Sequence, residues 1–154
     1  MGELADKITS GWKDAMKSGD TVRRDTLSSL RAALKNGEIN ARGGASFDST
    51  AEQAVVEKEA KKRRESIEEY GKVGRHDLAD KERAELAIIA EFLPEQLTPD
   101  ELAALVREVV ASTGAASPRD MGKVMGVLVP RIAGRADGKV ASALVRDLLA
   151  RGGN

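Results

Sequence analysis

The sequence predicts an all-α protein in two parts, an N-terminal antiparallel bundle of about four helices over residues 1–94 and a C-terminal domain of about three short helices over residues 97–151. Three observations carry that prediction. Ala, Leu, Glu, Lys and Arg dominate, aromatics are 3% of the chain, and no β-branched run exceeds two residues, so no segment has the composition of a sheet. Apolar residues recur at spacings of three and four. All four prolines lie between residues 94 and 130, so long helices give way to short punctuated ones, and the domain boundary falls at Pro94 to Leu97.

In the first helix Leu4, Ile8, Trp12, Ala15 and Met16 form the apolar stripe, and Gly19 stops it. Asp20 caps a second helix that carries Leu27, Leu30 and Leu34 and ends at Asn36-Gly37. Residues 38–50, with Gly43-Gly44, read as the longest loop. Ser49 or Thr50 then caps a third helix, with Glu52 or Gln53 completing the capping box. That helix runs from about Ala51 to Tyr70 with Val56, Ala60, Ile67 and Tyr70 on one stripe, which Arg63 interrupts. After a connection over Gly71 to Asp77, a fourth helix carries Leu78, Ile89 and Phe92, interrupted by Glu82 and Glu85. An antiparallel hairpin centred on Gly74 places Arg63 opposite Glu85, which predicts a structural ion pair. Phe92-Leu93-Pro94 ends the fourth helix.

Thr98-Pro99-Asp100-Glu101 opens the C-terminal domain with cap, first-turn proline and acid, placing Leu102, Leu105, Val106 and Val109 inward until Gly114 closes the helix. Ser117, Pro118 and Asp120 start the next helix, which Pro130 ends or kinks. Met121, Val124, Met125 and Leu128 share its core face. Arg119 and Lys123 lie nearly opposite, and Gly122 and Gly126 line the flank. Those two glycines read first as close-packing positions for another helix of the chain; close approach of a phosphate backbone is the sharper alternative. Asp137 caps a last helix with Val140, Leu144, Val145 and Leu148 apolar.

The formal net charge of zero hides an asymmetry. Residues 118–154 hold seven Lys+Arg and three acids, and no acid falls between Asp120 and Asp137. Arg119, Lys123, Arg131, Arg135 and Lys139 are therefore the RNA-binding candidates, set against the plain reading of a solvated surface. Lys61-Lys62-Arg63-Arg64 is ringed by Glu57, Glu59, Glu65, Glu68 and Glu69 and reads as an ion-paired helix face.

No catalytic, metal or cofactor residue is assigned. There is no cysteine, hence no thiolate nucleophile or zinc-thiolate site, and no Walker-type loop, HExxH or GxSxG motif. Gly43-Gly44-Ala45-Ser46 faintly echoes an amidase loop but lacks its serine pair, and a flexible loop is favoured. His76, the one histidine, stands beside Asp77 in the hairpin turn and reads as a surface or capping residue. No apolar run approaches 18 residues, and acids at Glu3 and Asp6 stand where a signal peptide would be basic, which predicts a soluble, cytoplasmic chain with no membrane partner.

Phe92-Leu93-Pro94-Glu95-Gln96-Leu97, Asp120-Met121-Gly122-Lys123-Val124-Met125-Gly126 and Gly134-Arg135-Ala136-Asp137-Gly138 resemble the signature blocks of the GatB/YqeY family. Arg63-Arg64-Glu65-Ser66-Ile67 and Gly74-Arg75-His76-Asp77-Leu78 are similar to N-terminal blocks of its YqeY branch, so the resemblance covers nearly the whole chain. It implies a stand-alone YqeY-like protein whose C-terminal part is similar to the tail domain of the B subunit of tRNA-dependent amidotransferases, a domain that contacts tRNA. The implied partners are tRNA and an amidotransferase or aminoacyl-tRNA synthetase. The family label of carbon-nitrogen ligase activity with glutamine as amide donor is an analogy, since 154 residues hold no counterpart of the catalytic parts of those enzymes. The expected function is a non-catalytic module that binds tRNA or another structured RNA, with a protein-interaction adaptor as the alternative. No aromatic residue follows Phe92, so shape and phosphate recognition replace base stacking.

Overall fold

The computed structural model describes residues 2–41 and 47–152. Those residues form seven α-helices and one 3-10 turn, with no strand among them. The loop tip at Gly43-Gly44 and the faint amidase echo fall at 42–46, outside the described residues. The chain divides into two compact units, Met1–Pro94 and Glu95–Asn154.

The N-terminal unit contains α1 (Glu3–Ser18), α2 (Thr21–Asn40), α3 (Ser49–Lys72) and α4 (His76–Ala90). Ala5 and Ile8 of α1, Leu27, Leu30 and Leu34 of α2, Val56 and Ala60 of α3 and Ile89 of α4 form its buried core, with Trp12, Phe47, Phe92 and Leu93 packed against it. Met16 does not join it and is 46% exposed. On a 3.6-residue helix Met16 lies about 80° round from Ile8, whereas the buried Ala15 lies only about 20° away.

Two expected signals act differently in space. Helix α2 runs through Gly37 to Asn40 instead of ending there. A Cβ on Gly37 would approach the Phe47 ring to 3.1 Å and Val55 Cγ2 to 3.0 Å, so its missing side chain lets those two residues close over α2. Likewise α3 is capped neither by Ser49 nor by Thr50. Asp48 caps it, accepting the Ala51 N–H at 2.9 Å.

Glu52 is thereby released for a different task. It is fully buried, and its Oε2 accepts the backbone N–H groups of Gly2 and Ala5 at 3.3 Å each. The N-cap of α1 is Gly2, which has no side chain to satisfy the free N–H groups of the first turn, and a carboxylate from α3 accepts two backbone N–H groups there instead. A Cβ on Gly2 would collide with that carboxylate, so the glycine is what admits it.

The α3–α4 hairpin turns at Gly74, whose φ of 72° lies in the left-handed region. Inside it, Arg63 Nη2 lies 3.5 Å from Glu85 Oε1, with side chains only 11% and 18% exposed. A closer partner was not anticipated: Arg63 Nη1 meets Glu59 Oε1 at 2.9 Å, and Lys62 Nζ meets Glu59 Oε2 at 2.9 Å. Burial pushes the Glu59 carboxyl up, but hydrogen bonds and charge from Lys62 and Arg63 outweigh it and hold the group below its ordinary value. At Glu82 the balance is reversed: burial and then the Glu85 charge push its carboxyl up, and the opposing charges of Arg63 and Lys81 do not offset them.

The C-terminal unit holds α5 (Pro99–Thr113), the 3-10 turn Pro118–Asp120, α6 (Met121–Ile132) and α7 (Gly138–Ala150). Leu102, Val106, Val109 and Val110 of α5 pack with Val124, Leu128 and Ile132 of α6 and Ala141, Val145 and Leu149 of α7. Thr98 and Glu101 form a complete capping box at α5. Pro130 does not end α6, which continues to Ile132. Proline removes one N–H and crowds the carbonyl four residues back. Here that carbonyl belongs to Gly126, and both residues are exposed on the outer face, where water can take the freed acceptor.

Replacing Arg63 with Ala is expected to lower the unfolding free energy by about 1 to 3 kcal/mol, because the nearly buried Glu59 loses one of its two cationic partners and Glu85 loses its contact across the hairpin. Urea denaturation with unchanged m-value checks this, and a loss under about 0.5 kcal/mol would refute it. Glu52→Ala should cost a similar ~1 to 2 kcal/mol by uncapping α1. Hydrogen exchange should then accelerate selectively at the Ala5 amide and its first-turn neighbours, and uniform acceleration throughout the unit would contradict a local cap.

Candidate nucleic-acid interface

The five basic candidates stand in different local surroundings. Arg119 is exposed in the 3-10 turn and Lys123 is exposed four residues on, in the first turn of α6. Neither has a carboxylate within 4 Å among the described residues. The acid between them is engaged locally: Asp120 Oδ2 accepts the backbone N–H groups of Ala116 at 2.9 Å and Ser117 at 3.2 Å. Those two bonds hold its carboxyl below the usual range. Lys139 is exposed in the first turn of α7, where its N–H donates to the capping Asp137 Oδ1 at 2.9 Å.

Arg131 and Arg135 differ from the reading as unopposed cations. Arg131 Nη2 lies 3.7 Å from Glu108 Oε1 on α5, a half-exposed pair. The basic run is free of acids along the chain but not in space. Arg135 is half-buried, and its Nε donates to the Glu95 carbonyl at 3.0 Å while its own carbonyl accepts the Leu97 N–H at 2.8 Å. The Gln96 side-chain amide donates to the Gly134 carbonyl. Glu95-Gln96-Leu97 and Gly134-Arg135 are therefore two halves of one hydrogen-bonded clasp that ties the entry of the unit to the α6–α7 connection. No periodicity or charge count signals such a clasp, because its bonds are mostly to backbone.

Gly122 and Gly126 require correction as close-packing positions. Both are exposed, and a Cβ on either would meet nothing within 4 Å among the described residues. Helix α6 turns its opposite face, Val124, Leu128 and Ile132, to the core. Its outer face consists of Gly122, Lys123, Gly126, Val127, Val129 and Pro130, with the two valines 43% and 49% exposed. Lys123 is the charge on that face, and the exposed Arg131 stands at its border, paired with Glu108.

Among the described residues no group of three or more His, Asp or Glu side chains is placed to hold a metal ion. His76 is exposed at the first position of α4. No described helix is long and apolar enough to cross a membrane.

These features define an all-helical protein of two small units, with a basic and glycine-bearing outer helix on the second. The chain matches the family described as Yqey-like protein over residues 5–149, and it belongs to that family. Among curated proteins it is similar to altered inheritance of mitochondria protein 41, mitochondrial, of Lachancea thermotolerans, with 37% identity over 81 residues, 53% of this chain and 43% of the relative. The counterpart of the same name in Pyrenophora tritici-repentis is 27% identical over 146 residues, covering 93% of this chain and 79% of the relative. An uncharacterized protein of Schizosaccharomyces pombe is 35% identical over 85 residues, 53% of this chain and 65% of that one. The matches of highest identity span less than half the length of those relatives. The names overturn the expectation of a cytoplasmic chain, since they point to the mitochondrion. The physical reason is that lacking a long apolar segment limits membrane crossing and carries no address.

Proposed function

We propose that this YqeY-like protein is a non-catalytic module that binds folded RNA, tRNA in the first instance, through phosphate contacts on the outer face of α6 and the start of α7. The observation that carries the reading is the exposed pairing of Lys123 with two positions that have no side chain, Gly122 and Gly126. A phosphate backbone can approach such a surface closely, while the lysine supplies the counter-charge. Arg119 and Lys139 extend the contact. Arg131 is already paired, and Arg135 serves to hold the clasp. The link to tRNA-dependent amidation rests on resemblance to the amidotransferase tail, and no carbon-nitrogen ligase chemistry is assigned to this chain alone.

A second reading has its own observation: Val127 and Val129 share the face, and Val140 is 51% exposed at the first turn of α7. That apolar content suits an adaptor docking on an aminoacyl-tRNA-handling enzyme such as an amidotransferase or a synthetase.

With about three phosphate contacts, log affinity for whole tRNA should fall with log salt at a slope near −2 to −3. Lys123→Ala should flatten the slope by about one and weaken all RNA sequences alike, whereas Arg131→Ala should change it less. Fluorescence titrations at two salt concentrations are the measurement. No binding at low salt, or binding unchanged when Arg119, Lys123 and Lys139 are all replaced, removes the RNA reading in favour of the adaptor. Incubated alone with glutamine, ATP and Glu-tRNA, the purified protein is expected to release no ammonia above background; release at a steady, enzyme-dependent rate would overturn the non-catalytic assignment.

A further inference from the structure

A cleft of about 350 Å³ opens between α1 and α2 of the N-terminal unit, within the size range of small-molecule sites. Thr9 of α1 and Ser28, Arg31 and Lys35 of α2 supply its polar lining, and Ala5 and Ala32 leave room beside them. The Arg31 guanidinium carbon lies 3.9 Å from the centroid of the Trp12 ring, and its Nε donates to Thr9 Oγ1 at 3.3 Å. Stacking and hydrogen bond together hold a half-buried guanidinium in one orientation.

That arginine lacks the counter-charge its neighbours have. Arg23 and Arg24 of the same helix meet Glu91 and Asp25 at 2.9 Å, and Arg63 meets Glu59 at 2.9 Å. No carboxylate lies within 4 Å of Arg31 or Lys35 among the described residues, and residues 42–46 contain no acid. Lys35 stands one turn along α2 from Arg31, a like-charge spacing that disfavours the helix unless an anion sits between them. Ser28 adds a hydroxyl one turn on the other side. The Nε edge of Arg31 is used by Thr9, which leaves the two terminal amino groups to form a fork for an oxyanion.

We infer that this cleft binds the phosphate or carboxylate group of a small organic anion, with Arg31 as the oriented fork, Lys35 as the second cation and the Thr9 and Ser28 hydroxyls beside them. Holding the guanidinium before the ligand arrives lowers the ordering cost of binding. The site lies wholly in the N-terminal unit and is independent of the RNA reading.

Trp12 is the only tryptophan of the chain, so its emission reports directly on the ring beneath Arg31. The full chain is titrated at low salt with inorganic phosphate, phenyl phosphate and benzoate, with benzyl alcohol as the neutral control. The expected result is a saturable emission change with at least one anion and none with the alcohol; the tighter of phenyl phosphate and benzoate identifies the group, and inorganic phosphate separates recognition of the anion from that of its apolar body. Lys35→Gln, an exposed change away from the tryptophan, should raise Kd roughly tenfold with the far-ultraviolet circular dichroism and Tm unaltered, the loss of one charge-assisted bond. Arg31→Lys, which retains charge but not the fork, should weaken binding further, and Lys123→Ala should leave it unchanged. No saturable response to any anion, an equal response to benzyl alcohol, or an unaltered Kd in Lys35→Gln overturns the assignment.

Discussion

A nearly buried guanidinium left without a counter-charge is costly, and in this protein the carboxylates that meet Arg63 tie α3 to α4. Arg63 on α3 contacts Glu59 one turn back, Glu85 across the hairpin on α4 and Ser29 Oγ on α2 at 3.4 Å. The Glu85 contact depends on how α4 is aligned with α3, a constraint that interchangeable apolar contacts impose less strictly. The core is built largely from Ala, Val, Leu and Ile, whose contacts are interchangeable, so the polar cluster supplies the discrimination between alignments that apolar burial does not.

Helix ends show the same dependence on distant partners. Glu52 serves as the N-terminal acceptor of α1 from 50 residues away, because Gly2 has nothing to offer its own helix. In the C-terminal unit the Arg135 and Gln96 side chains bond to backbone carbonyls across the clasp, closing a connection that carries no secondary structure of its own. Both devices satisfy backbone groups that water would otherwise have to reach, and both fix where a helix begins relative to its neighbours.

The outer face of α6 is unusual for solvent-facing helix in carrying two glycines, two valines and a proline beside Lys123, with Arg131 at its border. Glycine and an interior proline each weaken a helix, so the stability of α6 comes from Val124, Leu128 and Ile132 on its other face. A surface that forgoes helix-favouring charged side chains is suited to contact. The YqeY-like family match extends over residues 5–149, and the relatives named as mitochondrial correct a location inferred from a missing apolar segment and two N-terminal acids.

By itself the sequence determined the helical class, the change in chain behaviour at Pro94, the capped starts at Thr98 and Asp137, and the placing of Arg63 opposite Glu85. Each follows from period, cap chemistry or matched interruptions, which are local or nearly so. Only the tertiary structure decided that Gly37 admits Phe47 rather than ending α2, that α6 passes through Pro130, and that Gly122 and Gly126 face outward. It alone decided that Glu108 lies beside Arg131, that Arg135 belongs to a clasp, and that Arg31 is held on Trp12 with no carboxylate within 4 Å among the described residues. Those outcomes depend on which side chains meet across helices, and a stripe or a charge count names the face of a helix without naming what comes to lie against it.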